Sequence, residues 1–150
     1  MCGSNPRAFQ PPFGAALPSH NVLVIESFID GLAAAAKQDP AAYRLVLLDK
    51  APRAKSVLAL AAQRAEWGQP LPKRAGRGVS FQYVFGTYMS HVAEVEVSKA
   101  GAARVRRVVC AVDCGTVINP DTVRAQIESA IMFGITAALY GEITVKNGLA

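Results

Sequence analysis

Two cysteines, Cys110 and Cys114, stand where an apolar stretch gives way to Asp113-Cys114-Gly115-Thr116. A cysteine is a nucleophile or metal ligand only as the thiolate, which requires access and a positive surrounding. Cys110 lies inside the apolar stretch and reads as a buried structural thiol, a common fate of free cysteine. Cys114 sits beside a glycine in a loop before a helix, a place for a ligand-facing thiol or for an ordinary loop residue. Asn119-Pro120-Asp121 then opens that helix, with Asn119 as N-cap, Pro120 at the first helical position and Asp121 complementing the positive end of the dipole. A glycine-containing loop feeding a helix N-terminus presents free N–H groups that suit a phosphate or pyrophosphate. Plain helix capping explains the same residues. Gln126, two turns into the helix, carries both donors and acceptors that could meet a cofactor edge. The candidate binding set is therefore Cys114, Gly115, Asn119 and Gln126, with no catalytic residue and no metal ligand among them.

Other chemistry-bearing residues have simpler explanations. His91 falls among apolar strand residues and His20 in a proline-rich lead-in, and both read as satisfied core or surface histidines rather than catalytic ones. The three cysteines, with Cys2, are too few for a disulfide scaffold and lack the paired spacing of a zinc site. The sequence shows no nucleophile elbow, paired-histidine metal motif or phosphate-binding glycine loop. Glu94 and Glu96 are expected on an outer strand face in cross-strand ion pairs. Lys73, Arg74 and Arg77, near Phe81 and Tyr83, could follow a nucleic-acid backbone. Because those aromatics share the apolar face, the cluster reads as a solvated linker, and no nucleic-acid partner is expected.

The elements that must position these residues follow from periodicity. Residues 1–20 hold four of the nine prolines and read as an irregular lead-in. From Val22 the spacing is helical, with Val22, Ile25, Phe28, Ile29, Leu32, Ala33 and Ala36 on one face. Asp39-Pro40 caps and starts a second helix carrying Tyr43, Leu47 and Leu48, and a third runs from about Pro52 to Trp67. After the linker at 68–78 the period becomes two, placing Val79, Phe81, Tyr83, Phe85, Thr87, Met89, His91, Ala93, Val95 and Val97 on one face. This run is longer than most strands, so Gly86 marks a bulge or a break. Lys99 to Ala102 reads as a turn and Arg104 to Val112 as the return strand, with Val97 opposite Val105 and Glu96 opposite Arg106. The helix from Asn119 should reach about Tyr140 with Val123, Ile127, Ile131, Ile135 and Leu139 in line, and a strand should begin at Glu142. The fold expected is α+β: short helices, then a twisted antiparallel β-hairpin or sheet with a packed helix.

Composition sets the bounds. The 150 residues allow one domain, and 51% hydrophobic with 18% charged residues excludes an intrinsically disordered chain. Sixteen Lys and Arg against eleven Asp and Glu leave a mild excess of +5. The first residues lack the apolar core of a secretory signal. The uncharged run from Ser129 to Gly141 is shorter than the roughly 20 residues of a membrane span.

The string Val112-Asp113-Cys114-Gly115-Thr116-Val117-Ile118-Asn119-Pro120-Asp121-Thr122-Val123-Arg124-Ala125-Gln126-Ile127-Glu128 resembles the cofactor-binding segment of the molybdenum hydroxylases, the xanthine dehydrogenase and aldehyde oxidase family. Glu26-Ser27-Phe28-Ile29-Asp30 through Asp39-Pro40-Ala41-Ala42-Tyr43-Arg44 is similar to a helical segment of the family. Leu139-Tyr140-Gly141-Glu142-Ile143-Thr144 looks most like its isoquinoline 1-oxidoreductase branch, in the large, molybdopterin-binding subunit. Order and spacing hold from about His20 to Asn147.

The resemblance implies a C-terminal piece of a longer large subunit, with residues 21–150 forming a partial molybdopterin-binding domain. It implies a molybdenum-pterin cofactor, in the molybdopterin cytosine dinucleotide form, that hydroxylates an N-heterocycle or aldehyde with water-derived oxygen. Electrons would pass to an iron-sulfur small subunit whose clusters lie outside this chain. Gln126 falls on the family glutamine that hydrogen-bonds the cofactor near the metal, and Cys114, Gly115 and Asn119 fall in the loop that approaches the pterin or its dinucleotide extension. The family's catalytic glutamate lies in a Gly-Glu-Pro-Gly-like motif downstream, and Gly141-Glu142 is not that motif. Ser129 and Ala130 stand where many members have two glycines. The expectation is an oxidoreductase fragment inactive alone, cytoplasmic or periplasmic as part of a complex. The alternative is a non-catalytic module that docks on a complete molybdenum or iron-sulfur subunit.

Overall fold

A computed structural model describes residues 16–142 and 144. Its elements are α1 (Ala16–Ala35), α2 (Pro40–Leu47), α3 (Pro52–Arg64), β1 (Ala75–Val84), β2 (Thr87–Val97), β3 (Ala103–Asp113) and α4 (Pro120–Tyr140), with the strands in antiparallel order β1-β2-β3. The α+β class holds. Of the irregular lead-in expected at 1–20, residues 16–20 are helical instead; the rest of it and most of the strand expected from Glu142 fall outside the described residues.

α1 begins at Ala16, earlier than the Val22 that periodicity marked. Its orientation also departs from expectation. Val22, Ile29 and Ala33 are covered to varying degrees, whereas Ile25, Phe28 and Leu32 of the same expected face are exposed. The physical reason is a charge network. Arg44 of α2 is 2% exposed and donates to Glu26 and Asp30 of α1, at 2.9 and 2.7 Å. α1 is apolar around much of its circumference, so Arg44 rather than the apolar face sets which side turns inward. Glu26 also accepts the backbone N–H of Phe81 at 3.2 Å, tying α1 to β1.

Local capping behaves as the sequence requires. Asp39 accepts the N–H of Ala42 through one carboxylate oxygen and the indole N–H of Trp67 through the other, both at 2.8 Å. The start of α2 is thereby fixed to the turn beyond α3. α3 begins with Pro52 at its first turn and ends at Arg64 rather than Trp67. Glu66 (φ 54°) and Gly68 (φ 90°) take left-handed backbone there and end the helix.

The long alternating run is two strands. Phe85 (φ 50°) and Gly86 (φ 81°) form a two-residue turn with Val84 opposite Thr87, the left-handed pair that matches strand twist in tight hairpins. Such a turn pairs Val79 with Val92 and Phe81 with Ser90, so odd residues of β1 share a face with even residues of β2. The expected single face is therefore corrected: Met89, His91, Ala93, Val95 and Val97 lie on the side opposite Val79 and Phe81. The register with β3 is corrected too, since Val97 faces Ala103, Glu96 faces Arg104 and Val95 faces Val105. The turn closes where Ser98 N–H meets the Ala102 carbonyl, and a register shift between Glu94 and Val95 takes up one residue. Glu96 still reaches Arg106, at 3.6 Å, beside Arg104 at 3.5 Å.

The core is α3 laid on the sheet. Val57, Leu58, Ala61 and Ala65 meet Ala41 and the strand residues Val79, Val92 and Ala111, with Trp67, Phe81, Tyr88 and Val109 at the margin. The alanines at helical spacing let α3 approach closely. The helix expected to pack on the sheet was α4, but α3 takes that place: α4 meets β3 and buries none of its residues. Among the described residues no helix is long and apolar enough to cross a membrane.

Glu94 departs from its expected outer position. It lies on the α3 side, 12% exposed, and accepts from Arg77 at 3.0 Å with Arg107 at 3.7 Å. Arg107 also donates to the carbonyl of Arg64, the last residue of α3, and Arg77 to the carbonyls of Glu66 and Gln69 in the turn that follows. Arg77 thus belongs to β1 and serves the interior, while Lys73 and Arg74 are exposed as expected of a linker. On the other face His91 sits opposite Cys110. Burial pushes the histidine below its ordinary value and the Cys110 thiol, which is half-buried rather than fully buried, up to about 11, away from the thiolate.

Candidate functional site at the β3–α4 junction

The four candidate residues occupy one continuous segment, where β3 ends and α4 begins. Asp113 is the last residue of β3 and faces Tyr88 across the ladder. Its carboxylate receives a two-pronged contact from Arg53 of α3, Nε to Oδ2 and Nη2 to Oδ1, each 2.8 Å. The Oδ1 atom also accepts the N–H of Gly115 at 3.1 Å. Arg53 and the Gly115 amide together hold the Asp113 carboxyl down to about 2. The Arg53 guanidinium lies 4.9 Å from the Tyr88 ring centre, and Tyr83 lies 4.6 Å from Tyr88. Beside this pair Pro52, Ser56, Leu60 and Val112 line an open groove of about 420 Å³.

Cys114 is half-buried, and Gly115 takes φ 78° with open space where a side chain would stand. A larger residue would fit sterically but would strain the backbone. Val117 and Ile118 are exposed, the latter 95%, on the rim of the loop. Asn119 then caps α4, its Oδ1 accepting from Asp121 N at 3.0 Å and Thr122 N at 3.2 Å. Its carbonyl accepts from Val123 N, and Pro120 has no N–H. The first amides of α4 are therefore satisfied by Asn119 itself, and the phosphate cradle expected at the helix terminus is closed. The free donors lie just upstream: among the described residues the N–H groups of Thr116, Val117 and Ile118 have no acceptor. Gln126 is exposed on α4 and has no hydrogen-bond partner among the described residues.

Arg53, Asp113 and Tyr88 escape a reading of the sequence alone. An Asp two residues before a glycine is a turn signal that could have marked Asp113. Arg53 is 60 residues away from it and carries no local signal.

Residues 30–150 match the model of a molybdopterin cofactor-binding domain. The chain is 31% identical over 128 residues to the beta chain of isoquinoline 1-oxidoreductase from Brevundimonas diminuta, covering 83% of this chain and 16% of the relative. It is 30% identical over 145 residues to a membrane-bound aldehyde dehydrogenase of Gluconacetobacter polyoxogenes whose name carries pyrroloquinoline quinone, covering 83% and 19%. It is 34% identical over 145 residues to a nicotinate dehydrogenase subunit from Pseudomonas putida, covering 85% and 12%. The chain thus spans less than a fifth of the length of these curated relatives. No solved structure matches it. With the match running from within α1 through the whole β3–α4 junction, the chain belongs to the molybdenum hydroxylase family, in its molybdopterin cofactor-binding domain.

Proposed function

We propose that the segment from Cys114 to Gln126 forms one wall of a molybdenum-pterin site in an oxidoreductase that hydroxylates an N-heterocycle or an aldehyde. The observation that carries this reading is the exposed loop itself, where the amides of Thr116, Val117 and Ile118 have no acceptor among the described residues and follow a glycine that permits close approach. Its donors suit phosphate and pterin oxygens, so the residues present fit the group. Gln126 would add an amide donor and acceptor from α4. Asn119 acts indirectly, since capping α4 fixes the direction in which Gln126 projects. When bound, the group supplies two-electron redox chemistry for placing water-derived oxygen on an electron-poor carbon.

The finer assignments belong to the same proposal. The cofactor is the cytosine dinucleotide form, electrons leave through an iron-sulfur subunit, and this chain turns over no substrate by itself. Relatives named as subunits support the partner. Surface chemistry supports a site completed by further polypeptide, because Leu23, Val24, Ile25 and Phe28 of α1 and Met132, Phe133 and Tyr140 of α4 are exposed. The same exposed side chains favour the second reading, a docking module without cofactor.

Molybdenum and pterin contents of the full chain, purified from a host that makes the cofactor, separate the two readings. Both should be retained, and Gln126→Ala should lower pterin retention about tenfold, the worth of one to two hydrogen bonds, with an unchanged melting temperature. Wild-type chain without either, or equal retention by the variant, would overturn the assignment.

A further inference from the structure

We propose that Arg53 is the positioning residue of the β3–α4 loop, holding Asp113 so that Gly115 stays in its left-handed turn and Cys114 and the following amides face one way. This rests on the reading of that loop as the cofactor-facing wall, and it adds a residue from a different element to the site. α3 is the helix seated on the sheet, and Arg53 follows Pro52 in its first turn, so the guanidinium starts from a fixed base. The Tyr88 ring lies under the guanidinium, and Tyr88 is itself the cross-strand partner of Asp113. The fork then uses both carboxylate oxygens, at 2.8 Å each, which fixes the plane of the carboxylate as well as its place. In that plane one oxygen meets the Gly115 N–H at 3.1 Å, and the chain turns at φ 78°.

Surface ion pairs are worth little on average, but a two-pronged arginine contact with a stacked ring is the favourable exception. Its value here is directional. Arg53 is 55% exposed and stands outside the buried cluster, so its removal should loosen the loop while leaving the sheet intact. Lysine supplies the charge without the fork and cannot set the carboxylate plane.

The test uses the full chain with Cys2→Ser, comparing Arg53→Gln and Arg53→Lys with the parent. Amide hydrogen exchange is read at Gly115 and at Val92 in the central strand, and the labelling rate of Cys114 by a disulfide thiol reagent is followed beside that of Cys110. In Arg53→Gln the Gly115 amide should exchange about tenfold faster and Cys114 should label severalfold faster, with Val92 and Cys110 unchanged. Arg53→Lys should show the same loosening. Unchanged rates at Gly115 and Cys114, a rise that merely follows Val92, or full restoration by lysine would each overturn the proposal. These readouts need no cofactor, so they stand apart from the pterin assignment. A loosened loop with wild-type pterin retention would overturn the link between the loop and the cofactor, and lowered retention would support it.

Discussion

Arg44→Ala is expected to destabilise the chain by about 3–5 kcal/mol, the cost of stranding buried charges when one partner of a pair is removed. The guanidinium is 2% exposed and makes four contacts. Nε and Nη1 meet the carboxylates of Glu26 and Asp30 at 2.9 and 2.7 Å, and Nη1 and Nη2 meet the carbonyls of Pro40 and Glu26 at 3.1 and 3.0 Å. Alanine removes all four and leaves Glu26, 13% exposed, with only the Phe81 N–H. Since α1 has few apolar contacts inward, the network is what holds it to α2 and β1. For a domain of this size the loss corresponds to a fall of roughly 10 °C in melting temperature, and α1 amides should lose protection first. Arg44→Lys should recover part of the stability. A melting temperature within a degree or two of wild type would show that α1 is held by other means.

Glu94→Ala should cost about 3 kcal/mol by the same logic at the other end of α3. The carboxylate, 12% exposed, is shared by Arg77 and Arg107, which otherwise face each other as like charges beneath the helix end. Without it their repulsion should pull both away from the carbonyls of Arg64, Glu66 and Gln69, and the last turn of α3 should fray. Glu94→Gln preserves the shape and one acceptor and should cost less than alanine. Denaturant unfolding measures both variants, and equal stability of Glu94→Ala and wild type would show that the end of α3 is held without this network.

What was legible in the sequence is what local chemistry decides. Asp39-Pro40 and Asn119-Pro120 announced two helix starts because capping acts within a few residues, and both side chains cap as expected. The faces of the sheet were not legible, since alternation continues unbroken through Phe85-Gly86 while the hairpin inverts the pairing in space. The apolar set Met89, Ala93 and Val95 consequently marks the face away from α3. The rotation of α1 was hidden because an arginine in the next helix chooses it. At the candidate site, Cys114, Gly115, Asn119 and Gln126 come from one stretch of chain, and the structure keeps them on one junction. It moves the free donors from the helix terminus into the preceding loop, because Asn119 satisfies the terminus itself. Arg53 was beyond reach of pattern, as only the packing of α3 on the sheet brings it to Asp113.

The central claim is that the molybdenum-pterin group lies against the loop after β3. Amide hydrogen exchange of the full chain, with and without molybdopterin cytosine dinucleotide, tests it directly. Slowed exchange is expected at Thr116, Val117 and Ile118, with no change at the β1–β2 hairpin. Protection centred on that hairpin, or none at all, would contradict it.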